Sequence, residues 1–254
     1  MRILYVYRDY KGRRKKYGKM MEICGHKVKY LRILEKKIKN QVNKKDILKY
    51  KPEILWLYTP HYMSYKVVSD EAIDYCKSHK IPVVIYSTVL PDSHWAEQLW
   101  FWKKFDFAFI HYKKLFEYLK QNGVNAFYSP LGFYPDQFSK TTSSSKKWDV
   151  SFMGTAQTYV SSFVDKRAKY LSSLKEYKVG VYGESFNGRV NIKVHPFRGH
   201  EIQRNIYGKT KINLDLPFVN YKHSLYENQY HFKNRFFEVP ATGNFLLTVR
   251  CPEF

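Results

Sequence analysis

Short apolar runs recur along this chain, and between them lie stretches in which apolar residues return at helical spacing. That alternation admits few folds: buried strands separated by crossover helices build parallel sheets. In the first half it predicts strands at Ile3–Tyr7, Lys27–Leu31, Ile54–Tyr58, Pro82–Ser87, Phe105–His111 and Ala126–Tyr128. Helices are expected between them, at Arg13–Ile23, Lys44–Tyr50, Asp70–Ser78 and Lys113–Asn122. Ser69 precedes Asp70 as an N-cap, and Ala72, Ile73 and Cys76 then follow at helical spacing. A doubly wound parallel sheet is therefore the expected first domain.

The stretch Ser139–Lys147, SKTTSSSKK, is polar and without periodicity, as a linker or exposed loop would be. The expected division is a first domain over 1–138, a linker over 139–147 and a second domain over 148–254. The second half restarts the alternation, with strands near Val150–Met153, Val179–Tyr182, Ile192–Val194, Lys211–Leu216 and Phe245–Val249, and helices near Val164–Lys175, Glu201–Gly208 and Asn234–Thr242. The sequence stops soon after the last strand, where a sheet ordinarily has helices to cover it. The second domain is therefore expected to be incomplete at its C-terminal end.

Composition excludes several classes. Aromatic residues make up 18% of the chain and apolar residues 44%, too many for a disordered polymer. The N-terminal apolar run Ile3–Tyr7 is too short for a signal-peptide core, and no run approaches the roughly 18 apolar residues needed to span a bilayer. Cys24, Cys76 and Cys251 form no CxxC pair, so neither a disulfide framework nor a zinc site is expected. A reduced, cytoplasmic protein fits these features. The net charge is +22, and residues 1–51 hold 18 Lys/Arg against only Asp9, Glu22, Glu35 and Asp46. Such a basic field attracts phosphate-bearing partners: a nucleic acid, an anionic membrane surface, or an acidic glycan or lipid-linked acceptor. It is equally the solvated surface of a lysine-rich protein.

Two segments bear residues suited to a phosphate. In WDVSFMGTAQTYVSSFVDKRAKYLSSL a strand, a loop with Gly154 and Thr155, and a helix bearing Arg167 follow one another. A glycine lets a backbone approach a phosphate, and helix N–H groups and a guanidinium supply donors. The same arrangement also occurs as a plain strand-to-helix turn. In HFKNRFFEVPATGNFLLT, Lys233 and Arg235 precede Glu238 at the opening of a short helix that ends at Gly243. The cations suit a pyrophosphate and the carboxylate a ribose diol. On spacing alone a surface Arg–Glu pair, with Gly243 as a C-cap, is an equal reading.

DVSFMGT followed by Arg167, then VGVYG, KTKINLDLP and NRFFEVPATGNFLLT, together resemble the CgeB-like glycosyltransferases of the group-1 superfamily. Looser matches in the first half are GHKV (Gly25–Val28), YKPEILWL (Tyr50–Leu57) and SPLGFYPDQF (Ser129–Phe138). The resemblance implies a GT-B fold, α/β with two Rossmann-like doubly wound domains, the nucleotide sugar held mainly by the second and the acceptor mainly by the first. By position, Glu238 would hold the ribose hydroxyls, and Gly154, Thr155 and Arg167 would lie near the diphosphate. Arg235 and the turn before it, with Lys233, would face the donor, and Phe197–Gly199 would lie near the base. Tyr230, not an acid, stands eight residues before Glu238, so the two-glutamate signature of many retaining members is absent and the stereochemistry is not assigned.

A catalytic base should come from first-domain loops at strand C-terminal ends. His61 follows one such strand, and Asp92 and His94 another; each is equally at home as a structural loop residue. No Asp-x-Asp motif occurs, which argues against the metal-chelating alternative glycosyltransferase fold; the nucleotide sugar is expected as co-substrate, with no required metal and no cofactor. The resulting expectation is metal-independent sugar transfer from a nucleoside diphosphate sugar to a hydroxyl of a glycan, lipid-linked or protein acceptor, with peripheral membrane contact open. A non-catalytic polyanion or nucleic-acid binder is the rival, disfavoured because no nucleic-acid-binding motif stands behind the charge. An inactive, nucleotide-binding fragment of a transferase is the third possibility.

Overall fold

A computed structural model describes residues 1–8, 15–33, 41–59, 67–87, 98–130, 132, 137–141, 143, 145–154, 161–183, 192–196, 200–216 and 234–249. The chain folds as two compact units, Met1–Pro130 and Leu131–Phe254.

The first unit is a six-stranded sheet of β1 (Arg2–Arg8), β2 (Lys27–Ile33), β3 (Ile54–Thr59), β4 (Val83–Ser87), β5 (Phe107–Ile110) and β6 (Ala126–Tyr128). The order is β2-β1-β3-β4-β5-β6, and every pairing is parallel. The helices are α1 (Lys15–Ile23), α2 (Lys44–Tyr50), α3 (Asp70–Ser78), α4 (Leu99–Trp102) and α5 (Lys113–Gln121). Local chemistry fixes their ends. Asn43 caps α2 by accepting from the N–H groups of Lys45 and Asp46, while Asp46 accepts from the Asn43 N–H, a reciprocal capping box. Ser69 caps α3 by accepting from the Ala72 N–H at 3.2 Å.

The strand pleat sorts side chains between the two faces. One carries Leu4, Val6, Leu55, Leu57 and Ile85, all buried. The other is aromatic: Tyr5, Tyr7, Trp56, Tyr58, Tyr86, Phe109 and Phe127 stand in register across the strands. Their rings meet at 5.5 Å for Trp56–Phe109 and for Phe109–Phe127, and at 5.8 Å for Tyr58–Tyr86. Tyr17 of α1 stacks on Tyr58 at 4.7 Å, so α1 covers the near half of this face.

The second unit is a five-stranded sheet of β7 (Trp148–Met153), β8 (Val179–Tyr182), β9 (Val194–His195), β10 (Thr210–Asp215) and β11 (Leu246–Thr248). The order is β11-β10-β7-β8-β9, again wholly parallel. Its helices are α6 (Ser161–Ser173), α7 (His200–Gly208) and α8 (Arg235–Ala241). On one face Leu171 of α6 packs with Val150, Phe152, Val179, Val181 and Leu216. On the other, Ile206 and Tyr207 of α7 and Val239 of α8 pack with Met153 and Phe138. Helices on opposite faces for the two directions of winding are what right-handed crossovers require. Gly243, with φ +74°, follows the α8 C-cap and donates its N–H to the Pro240 carbonyl at 2.8 Å.

The polar stretch before β7 is tied to this unit. The Thr141 N–H donates to the Thr242 carbonyl at 3.1 Å, and Lys146 Nζ donates to the Gly208 carbonyl at 2.8 Å. Two parallel sheets flanked by helices are thus the α/β architecture that the alternation of the sequence predicts.

Candidate functional site

In a doubly wound sheet the crevice for a ligand lies at the C-terminal ends of the two strands where the winding reverses. In the second unit those strands are β7 and β10. Beyond β7 comes Gly154, and β10 ends at Asp215. Arg167 projects from α6 and Arg235 opens α8, and both arrive at this edge.

Arg167 is 4% exposed, and its Nε donates to the Leu216 carbonyl at 3.2 Å. Burial, and then the neighbouring charge of Arg235, push its pKa down to about 10, while Asp215 acts in the opposite direction. Arg167 therefore remains a cation at neutral pH. Arg235 Nη1 donates to Asp215 Oδ1 at 2.5 Å, with the Asp215 side chain wholly buried and that of Arg235 15% exposed. The Arg235 guanidinium also lies over the Phe152 ring, 5.7 Å from its centroid. A Cβ on Gly154 would stand 2.9 Å from the Phe152 ring, closer than the ring allows, and 3.5 Å from Arg235 Nη2, in ordinary contact with it. This local packing asks for a glycine at 154.

Glu238 is 3% exposed and sits in a polar cluster. Gln203 Nε2 donates to its Oε2 at 2.6 Å, and Tyr207 Oη donates to the same oxygen at 3.2 Å. Tyr207 Oη in turn accepts from Gln203 Nε2. Burial raises the Glu238 pKa from its ordinary 4.5 to about 6, against the opposing pull of Arg235 and of the hydrogen bonds from Tyr207, Asn234 and Gln203. The Tyr207 hydroxyl is raised too, first by burial and then by the Glu238 charge. Asn213 braces the cluster from β10: its Nδ2 donates to the Tyr207 and Phe245 carbonyls, and its Oδ1 accepts from the Ser151 hydroxyl at 3.1 Å.

The surface Arg–Glu pair that spacing allowed does not form, because Arg235 turns to Asp215 and Glu238 to Gln203 and Tyr207. Gly154, Arg167, Arg235 and Glu238 of the expected site are brought to one end of one sheet. Thr155, Phe197, Gly199 and Lys233, and the candidate bases His61, Asp92 and His94, lie outside the described residues. Asp215, Gln203 and Tyr207 went unread in the sequence. Asp215 had a faint signal, an acid one residue before the end of the predicted strand Lys211–Leu216, while Gln203 and Tyr207 read as ordinary helix residues.

A groove of about 670 Å³ lies on the α6 face of this sheet, lined chiefly by Val150, Tyr170, Leu174, Ile212, Leu214 and Leu247. Its lining is mainly apolar, with Asp149 and Lys211 as its charged members. Among the described residues no group of three or more His, Cys, Asp or Glu is placed to hold a metal ion, and no helix is long and apolar enough to cross a membrane.

No protein-family model and no curated protein sequence matches this chain. Among solved structures it is similar to AviGT4, a glycosyltransferase involved in avilamycin A biosynthesis. The TM-score is 0.59 at 11% identity, over 98% of this chain and 78% of that one. The chain has the fold of that glycosyltransferase, the GT-B type. The glycotransferase of kitacinnamycin matches at TM-score 0.42 and 10% identity, over 99% of this chain and 88% of the other. The Streptomyces sp. SF2575 glycosyltransferase SsfS6, solved with thymidine diphosphate, matches at 0.35 and 12%, over 84% and 76%. Similarities at those two scores add nothing to the fold assignment.

Proposed function

We propose that this chain is a CgeB-like glycosyltransferase that moves a sugar from a nucleoside diphosphate sugar to an acceptor hydroxyl. The observation behind this reading is the meeting of two guanidiniums, the buried Arg167 and the partly exposed Arg235, beside Gly154 at the point where the second sheet reverses its winding. Two such cations suit a diphosphate, and a water-poor setting strengthens their pull on charge that develops there.

In the proposed reaction the acceptor oxygen bonds to the anomeric carbon as the bond from that carbon to the diphosphate breaks. The diphosphate leaves with the bonding electrons and its new negative charge falls to Arg167 and Arg235. The acceptor's proton passes to a base, for which His61, Asp92 and His94 are the candidates, or to the departing phosphate. The two guanidiniums supply positive charge that a metal ion would otherwise bring, so transfer without a required metal belongs to the proposal. Glu238 is assigned to the ribose hydroxyls, and the basic N-terminal fifth to an anionic acceptor or membrane surface.

A thermal-shift series with UDP-, GDP-, dTDP- and CDP-sugars, with and without EDTA, tests the reading. One nucleotide class should raise the melting temperature, equally in EDTA, because a ligand bound only by the folded state stabilises it. Stabilisation by every polyanion alike, abolished by salt, would instead make the protein a polyanion binder.

A further inference from the structure

Asp215 is the least expected member of the cluster. It ends β10 at the reversal point, is completely buried, and gives one oxygen, Oδ1, to Arg235 Nη1. Its other oxygen, Oδ2, is buried with no hydrogen-bond partner among the described residues. Nor does Arg235 Nη2 bond a described residue; it stands where a Cβ on Gly154 would come within 3.5 Å of it. A carboxylate and a guanidinium joined only for stability favour two parallel hydrogen bonds, fork to fork. Here one arm of the fork is held and the other is turned to the glycine.

We propose that Asp215 is the positioning residue of the anion site: it anchors one arm of the Arg235 guanidinium so that the other is presented beside Gly154 to a diphosphate oxygen. The proposal rests on the reading of this edge as a diphosphate site. Its physical logic has two parts. A carboxylate with no solvent exposure cannot swing away when a ligand arrives, so it orients Arg235 and does not compete with the ligand for it. It also lies in the field of Arg167, where it offsets the repulsion between Arg167 and Arg235 that would otherwise drive the two cations apart before any anion binds. Phe152 beneath the guanidinium and Gly154 beside it complete the seat. The pre-set geometry means that little ordering remains to be done on binding.

The test is a double-mutant cycle on the full chain, with inorganic pyrophosphate as the probe, affinity read by calorimetry and the fold of each variant checked by its melting temperature. Arg235→Gln is expected to lose pyrophosphate affinity by about tenfold or more, in keeping with one charge-assisted contact. Asp215→Asn, which keeps the shape and removes the charge, is expected to lose about tenfold although it makes the site more positive. In the Arg235→Gln background the same change should cost less than about twofold, because its effect runs through Arg235. Unchanged or improved affinity in Asp215→Asn, or an equal loss in both backgrounds, overturns the proposal while leaving the diphosphate reading in place. An unaltered affinity in Arg235→Gln removes that reading and the proposal with it. Should Asp215→Asn not fold, Asp215→Ser takes its place in the cycle with the same outcomes.

Discussion

Both sheets are parallel and doubly wound, but they treat polar groups in opposite ways. Among the described residues of the first unit, the buried polar side chains are Ser87 and His111, and one sheet face is a continuous aromatic surface. The second unit buries Ser151, Arg167, Gln203, Thr210, Asn213, Asp215, Glu238 and Thr242. A buried polar group costs free energy unless it is paired, and a buried charge costs far more. Most of these eight gather toward the C-terminal edge of β7 and β10 or brace the groups that do. The first sheet is therefore organised for packing, and the second accepts a stability cost in order to hold charge in place. The sharpest way to break this contrast is to show that residues of the first sheet govern nucleotide affinity, or that those of the second do not.

The largest stability loss is expected from Tyr5→Ala, which empties the centre of the aromatic face. Tyr5 is fully buried and meets Tyr7 and Tyr30 at 5.6 and 5.9 Å. Removing a buried aromatic side chain costs about 3–5 kcal/mol. Denaturant unfolding, with hydrogen exchange followed in each unit separately, should place that loss in the first unit and leave pyrophosphate affinity alone. A loss of affinity as large as the loss of stability would erase the contrast between the sheets.

Next comes Arg235→Met, which leaves Asp215 buried without its ion pair. The expected cost is about 3 kcal/mol, now confined to the second unit and accompanied by loss of anion binding. Were the second unit to keep its full stability, Asp215 could not be a buried charge dependent on Arg235.

Third is a pH effect. Folding raises the Glu238 pKa from 4.5 to about 6, so the folded state holds this proton more tightly than the unfolded state does. Stability from this group is therefore fully present below about pH 4.5, falls as the pH rises through 6, and stays lower above it, by about 2 kcal/mol in all. Glu238→Gln should abolish that pH-dependent component and be the more stable protein at pH 8. A wild-type profile that climbs between pH 4.5 and 6, with the climb lost in Glu238→Gln, would reverse the assignment.

The smallest effect is Asn43→Ala at the start of α2, far in kind from any chemistry. Loss of its capping box should cost about 1 kcal/mol and leave ligand affinity unchanged, as thermal melts with and without nucleotide would show. An affinity change there would mean that the first unit is coupled to the site through more than its fold.

Much of the scaffold was legible because each strand is a short apolar run and each helix carries its own boundary signals. The expected β6, β8, α2 and α3 coincide with the observed elements. α4 went unread because Leu99–Trp102 is four apolar residues inside an aromatic run, where neither period can show itself. β9 came out at Val194–His195 rather than Ile192–Val194, an ambiguity natural to a two-residue strand. The polar stretch from Ser139 to Lys147 reads as a linker or exposed loop, and no period in it marks its bonds to Thr242 and Gly208, which lie far along the chain.

What the sequence determined by itself was the order of elements and the residues delivered to each strand end, since periodicity, caps and turns are local properties. Only the family resemblance, and not these local signals, implied that Gly154, Arg167, Arg235 and Glu238 would serve one site. What only the tertiary structure decided was who pairs with whom. Arg235 and Glu238 lie three positions apart on one helix, yet each finds its partner elsewhere: Arg235 on β10, and Glu238 on α7. The reason is physical: a buried ion responds to every charge and dipole within a few ångströms, and those neighbours come from strands and helices that meet only when the sheet is assembled.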